Sequence, residues 1–155
     1  MIKYIQIVFL MIFLISCAGG VTKNDVVLVM NEFFEKVKEN NFSLIEPYYS
    51  DAFFEKMNRD EWEELFYRVH SILGRLVTVE LETWSASSFL GTSGSGTQFR
   101  LIYRNIYENG FAIETITVFI PRGKNEIKIN GHHINLNLNN ENREQPDEIP
   151  NELFI

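Results

Sequence analysis

Tyr107-Glu108-Asn109-Gly110-Phe111-Ala112-Ile113-Glu114-Thr115-Ile116-Thr117-Val118 decides how this chain folds. An apolar-polar alternation runs up to an Asn-Gly pair and resumes beyond it. That is the pattern of two antiparallel strands joined by a tight turn. Both Asn109 and Gly110 tolerate positive φ, so the pair predicts the turn itself. The preceding strand reads from Phe99 to Tyr107 and the following one from Phe111 to Ile120. Towards the C-terminus, Pro121 to Asn125 turns the chain and Glu126 to about Leu136 forms a further strand. Towards the N-terminus, Gly91-Thr92-Ser93-Gly94-Ser95-Gly96-Thr97 is a flexible connection. Before it, Val77, Val79 and Leu81 alternate with Thr78, Glu80 and Glu82 in a half-buried strand that runs towards Trp84. Four strands linked by short connections make an antiparallel meander.

Before Gly74 the period is helical. Thr22-Lys23-Asn24-Asp25 reads as a capping box, followed by Val26, Val29, Met30, Phe33 and Val37 at helical spacing. Ser43 with Glu46 suggests a second start, which Pro47 keeps short or irregular, with Tyr48, Tyr49, Phe53 and Phe54 as its aromatic face. Asn58 with Glu61 opens a third helix carrying Trp62, Leu65, Phe66, Val69 and Leu73, and Gly74 stands where a C-cap is expected. Helices first and strands second is an α+β arrangement. It predicts three N-terminal helices packed on one face of a four-stranded antiparallel sheet.

Of 155 residues, 45% are hydrophobic and 14% aromatic, with thirteen Phe, which suffices for a sizeable core. The formal charge of −7, with no basic patch, argues against nucleic acid as a partner. Residues 141–152 carry five acids against Arg143, with Pro146 and Pro150, so residues 137–155 read as an acidic, flexible tail. The apolar end Leu153-Phe154-Ile155 is expected to dock on the domain rather than serve as a partner-binding end.

At the other terminus, Lys3 precedes an apolar run from Ile5 to Ile15 that only Gln6 interrupts. That run is shorter than the roughly 20 residues needed to cross a bilayer, and it reads as a signal peptide. Cys17 is the chain's single cysteine, so no internal disulfide can form. Leu14-Ile15-Ser16-Cys17 resembles the lipobox of bacterial lipoproteins. The resemblance implies cleavage between Ser16 and Cys17 and acylation of Cys17. Residues 1–16 would be a signal peptide and 17–21 a lipidated tether, followed by a domain over residues 22–136. Ala18, in place of an aspartate, implies by the same resemblance the periplasmic face of the outer membrane.

The element order, the Asn58-Arg59-Asp60-Glu61-Trp62 helix start, the quoted hairpin and Glu126-Ile127-Lys128-Ile129-Asn130-Gly131 are similar to exported domains of the nuclear transport factor 2-like superfamily. That likeness, over roughly Thr22 to Leu136, implies a cone of curved sheet wrapped by helices. One departure is Arg122-Gly123-Lys124-Asn125, where many relatives carry a tryptophan.

Chemistry is sparse. The glycine-rich stretch lacks a P-loop lysine and opens no helix. Neighbours on a strand, His132 and His133 point to opposite faces, so a shared metal ion is not expected, and neither is any cofactor. Glu80 and Glu82 share a strand face but belong to its wetter side. Glu114, between Ala112 and Ile116, is an acid on a partly apolar face, and a lone buried carboxyl there would have a raised pKa. With Tyr103 and Tyr49 it forms the candidate ligand-binding set, and no catalytic residue is assigned. The expected function is a lipid-anchored, non-catalytic binding or accessory module for a protein or envelope component. The alternatives are a cone that binds a small apolar ligand and a single-carboxylate isomerase or cyclase.

Overall fold

Thr22 opens the first helix as the capping box requires. In the computed structural model, which describes residues 20–90, 95–138 and 152–153, its backbone N–H donates to Asp25 Oδ2 at 2.8 Å. Asp25 N–H donates back to Thr22 Oγ1 at 3.4 Å. Helix α1, Lys23–Lys38, then buries Val26, Met30, Phe33, Phe34 and Val37 along one stripe. Asn40, at φ 49°, reverses the chain.

The single second helix expected from sequence is divided. Helix α2, Phe42–Ile45, is capped by Asn41, a 3-10 turn covers Glu46–Tyr48, and α3, Asp51–Phe54, is capped by Ser50. Pro47 has no N–H to donate to an α-helical ladder, and the Ser50 hydroxyl offers the Phe53 amide a competing partner at 3.1 Å. Helix α4, Arg59–Leu73, starts on Asn58, whose Oδ1 accepts from Asp60 N–H at 2.8 Å. It ends on Gly74 at φ 78°. Among the described residues, four α-helices therefore stand where three were expected.

Strands β1 (Leu76–Phe89), β2 (Gly96–Tyr107), β3 (Gly110–Pro121) and β4 (Ile129–Leu138) follow as an antiparallel meander. A two-residue strand β5, Glu152–Leu153, pairs with β4 at Ile134 and Asn135. The sheet is curved and open. One extra residue is inserted at Val77, at Glu82 and at Asn130, and such bulges bend a strand and shift its facing pattern. Val77 is therefore not inward as its alternation implied, but 58% exposed, with Leu76 buried in its place. β4 begins at Ile129 rather than Glu126 and runs two residues beyond Leu136.

The Asn109-Gly110 reading also changes. Glu108 and Asn109 make the turn, and neither Asn109 nor Gly110 has positive φ. Gly110 is needed for a different reason: a Cβ there would run into the Asn137 carbonyl oxygen of β4. The turn is held by Glu108 N–H to Arg75 O at 3.1 Å and Asn109 N–H to Leu73 O at 2.9 Å.

Helices cover one face of the sheet. On that face β2 contributes Phe99, Leu101, Tyr103, Asn105 and Tyr107, and β3 contributes Ala112, Glu114, Ile116, Val118 and Ile120. The opposite face is half-exposed.

Candidate functional site

Among the described strands, three polar residues, Asn105, Glu114 and His132, lie within this apolar layer because strand geometry leaves them no other direction. Alternation along β3 turns Glu114 inward, where it is 3% exposed. On β4, Ile129 faces inward, and a regular strand would then turn His132 to solvent. The bulge at Asn130 shifts the pattern by one residue, so His132 also enters the core at 3% exposure. Asn130 itself replaces the lost ladder bond, its Oδ1 accepting from Phe119 N–H at 3.1 Å. From the helical layer, Ser50 N–H donates to Ile129 O at 2.9 Å and pins Tyr49 over the start of β4.

The result is one chain of hydrogen bonds. The Tyr49 hydroxyl lies 2.8 Å from His132 Nδ1, His132 Nε2 lies 2.8 Å from Glu114 Oε2, and the Tyr107 hydroxyl donates to Glu114 Oε1 at 2.9 Å. Nε2–H and the Tyr107 hydroxyl both donate to the carboxylate, and the Tyr49 hydroxyl shares a hydrogen bond with Nδ1. Phe33, Trp62 and Tyr49 surround the imidazole at centroid distances of 6.0, 5.4 and 6.1 Å.

Burial is the largest influence on Glu114 and pushes its carboxyl up. The hydrogen bond and charge of His132, aided by Asn105 and Tyr107, outweigh burial together and leave the carboxyl below its ordinary value, not raised as expected, because the acid is not alone in the core. Asn105 lies close enough to help, but neither of its amide atoms completes a well-formed hydrogen bond. Tyr49 and Tyr107 are pushed well above the ordinary phenol value, first by burial and then by the Glu114 charge, so both remain donors. Burial moves His70 the other way, below the ordinary imidazole value, against the opposing pull of Glu114. His70 packs on Phe66 at 4.5 Å and faces Tyr107 at 5.9 Å.

Beside these groups is a cavity of about 20 Å³, lined on its polar side by His70, Tyr107, Glu114 and His132. That volume holds about one water molecule and no organic substrate. A second, open concavity of about 310 Å³ lies at the end of the sheet where β1 finishes and β2 begins.

Of the residues expected to bind a ligand, Tyr49 and Glu114 are brought together, with His132 between them. Tyr103 stands opposite Glu114 in the strand register, but it packs on Phe34 at 4.8 Å and its buried hydroxyl has no hydrogen-bond partner among the described residues. His132, Tyr107 and His70 were not assigned from sequence. For Tyr107 the signal was present, because it shares the parity of Tyr103 along one strand. For His132 it was hidden by the bulge. His133 points to the other face and is half-buried. Glu80 is exposed, and Glu82 is the inserted residue of its bulge, so the two do not form a pair. Among the described residues no three His, Cys, Asp or Glu side chains gather as metal ligands. Ser16 and Cys17 lie outside the described residues, as does most of the acidic tail. Comparison with known proteins finds no significant match to any family model, curated protein or solved structure.

Proposed function

We propose that this chain is a lipid-anchored envelope lipoprotein held through Cys17 at the periplasmic face of the outer membrane. Its nuclear transport factor 2-like domain would be a non-catalytic binding module for a protein or envelope component. One observation carries the non-catalytic reading. The interior around Glu114 is filled, and the space beside the buried acid and its two histidine neighbours admits about one water. A substrate or small apolar ligand would need a pocket of several hundred Å³. The polar chain serves instead to lock Tyr49, and with it the irregular helical segment, onto β4. Support for the superfamily reading comes from the element order and from the three bulges that curve the sheet under one layer of helices.

The test is purification from native membranes with the lipid retained, followed by mass analysis of the intact complex. A stoichiometric protein or envelope component is the expected result. A metabolite bound without such a partner overturns the reading.

A further inference from the structure

The open concavity at the end of the sheet brings together parts of the chain that are far apart in sequence. Gly20 and Val21 enter it from the N-terminus, Phe89 and Leu90 from the end of β1, and Arg122 and Lys124 from the connection between β3 and β4. Its apolar members are unusually bare, Leu90 at 82% and Phe89 at 47% exposure. Trp84, on the same projecting half of β1, is 45% exposed with Lys23 Nζ 5.5 Å from its ring centroid. Among the described residues, neither Arg122 nor Lys124 makes an ion pair. The acids closest in sequence to Val21 and Lys124 are engaged, Asp25 in the capping box and Glu126 with Lys128 at 3.7 Å. In a chain of net charge −7, this end presents unpaired cations beside bare aromatic and aliphatic side chains.

We propose that this end of the domain is a docking surface for a bilayer bearing anionic headgroups. The inference rests on the lipid-anchor reading and names the surface that anchor would bring to the membrane. Three residue steps separate Cys17 from Gly20, so the acylated sulfur can be no more than about 10 Å of chain from the concavity. A tether that short presents this pole, and not the opposite one, to the headgroups. The pole has the composition such a position requires. Phe89 and Leu90 enter the interfacial zone, Trp84 lies at its edge, and Arg122 and Lys124 lie where lipid phosphates are. The opposite pole, around Gly74 and the Glu108-Asn109 turn, lies the length of a twelve-residue strand away, on the order of 40 Å.

The test uses the full-length protein anchored by its own acylated Cys17 in phosphatidylcholine vesicles, with and without phosphatidylglycerol. Acylation leaves the chain without a free thiol, so one fluorophore is placed at Asn125→Cys and, in a separate sample, at Ser71→Cys near the far pole. The expected result is that a spin-labelled lipid quenches the Asn125 reporter and not the Ser71 reporter. Quenching should be stronger with phosphatidylglycerol and weaker in added salt. Arg122→Gln with Lys124→Gln should lower the docking constant about 30-fold, from two basic residues near an anionic surface. Phe89→Ser with Leu90→Ser should weaken docking at all salt concentrations. Equal, absent quenching at both sites on vesicle-bound, acylated protein overturns the surface and leaves the anchor standing. Quenching that ignores both pairs of substitutions also overturns it, because the tether alone would then account for the proximity. An Asn125 reporter shielded only in native membranes assigns this face to a protein partner and overturns the proposal. An unmodified Cys17 in the mass spectrum overturns the anchor and the surface together, and is distinguishable from every other outcome.

Discussion

His132 is held through both ring nitrogens, so its partners can be removed one at a time. Tyr49→Phe deletes one hydroxyl and leaves Nδ1 buried without a partner, which should cost about 1–3 kcal/mol in denaturant unfolding. Glu114→Leu removes the acceptor shared by His132 and Tyr107 and should cost about 3–5 kcal/mol. Breaking the exposed Lys36–Glu39 pair should cost less than about 1 kcal/mol, because water and salt screen it. Acid sensitivity follows from two groups, with the same sign. Folding holds His70 below the ordinary imidazole pKa, so the unfolded chain takes up a proton that the folded chain refuses. Its contribution is complete above about pH 6.5 and is lost as pH falls from there, with a slope of at most about 1.4 kcal/mol per pH unit. Glu114 is also held low, so its contribution persists to lower pH and is lost only as pH drops through the carboxylate range. His70→Phe should therefore flatten the stability profile between about pH 7 and 5 and leave the steeper acid loss in place, as thermal melts across pH would record.

At the level of elements, Asn130 is the inserted residue that lets Ile129 and His132, three apart in sequence, both face inward. Deleting it leaves them two apart, so regular alternation keeps both inward and the Asn130 bond to Phe119 is what is lost. The deletion should therefore destabilise the fold by less than Tyr49→Phe, read by denaturant unfolding. Gly110→Ala should cost about 1–3 kcal/mol, because a methyl group there meets the backbone of β4. Asn109→Ala should cost less, since Asn109 adopts no positive φ and its side chain reaches Ile72 O only at 3.5 Å. A measured order with Asn109 the more sensitive of the two would mean that the turn, and not the close packing of β3 on β4, sets the glycine requirement. The helix starts were legible because Thr22, Asn58 and Gly74 act on amides within a few residues of themselves. The division of the second helix was half legible: Pro47 signals interruption, while the Ser50 cap and the bridge from Tyr49 to Ile129 bring in a distant strand.

For the whole molecule, the filled interior and the bare pole point in the same direction. Hydrophobic and aromatic side chains consume the space between helices and sheet, leaving about 20 Å³ beside the titratable groups. If Cys17 is acylated as proposed, Cys17→Ser should abolish acylation and leave residues 1–16 attached, checked by the mass of membrane-extracted protein. A processed, soluble variant would remove the basis for the anchor. The pairing of Glu152–Leu153 with β4 gives the far end of the acidic tail a place on the sheet edge, in keeping with the apolar terminus read as docking.

Sequence alone determined the change from helical to strand period at Gly74, the helix caps at Thr22 and Asn58, and the meander, all set by neighbours a few residues apart. It did not determine which face His132, Val77 or Glu82 takes. A single inserted residue reverses the facing of everything beyond it, and whether a strand bulges depends on the partner strand and the layer packed above. Tertiary structure therefore decided that Tyr49, His132, Glu114 and Tyr107 form one hydrogen-bonded set, and that Gly20 and Val21 share a surface with Phe89, Leu90, Arg122 and Lys124.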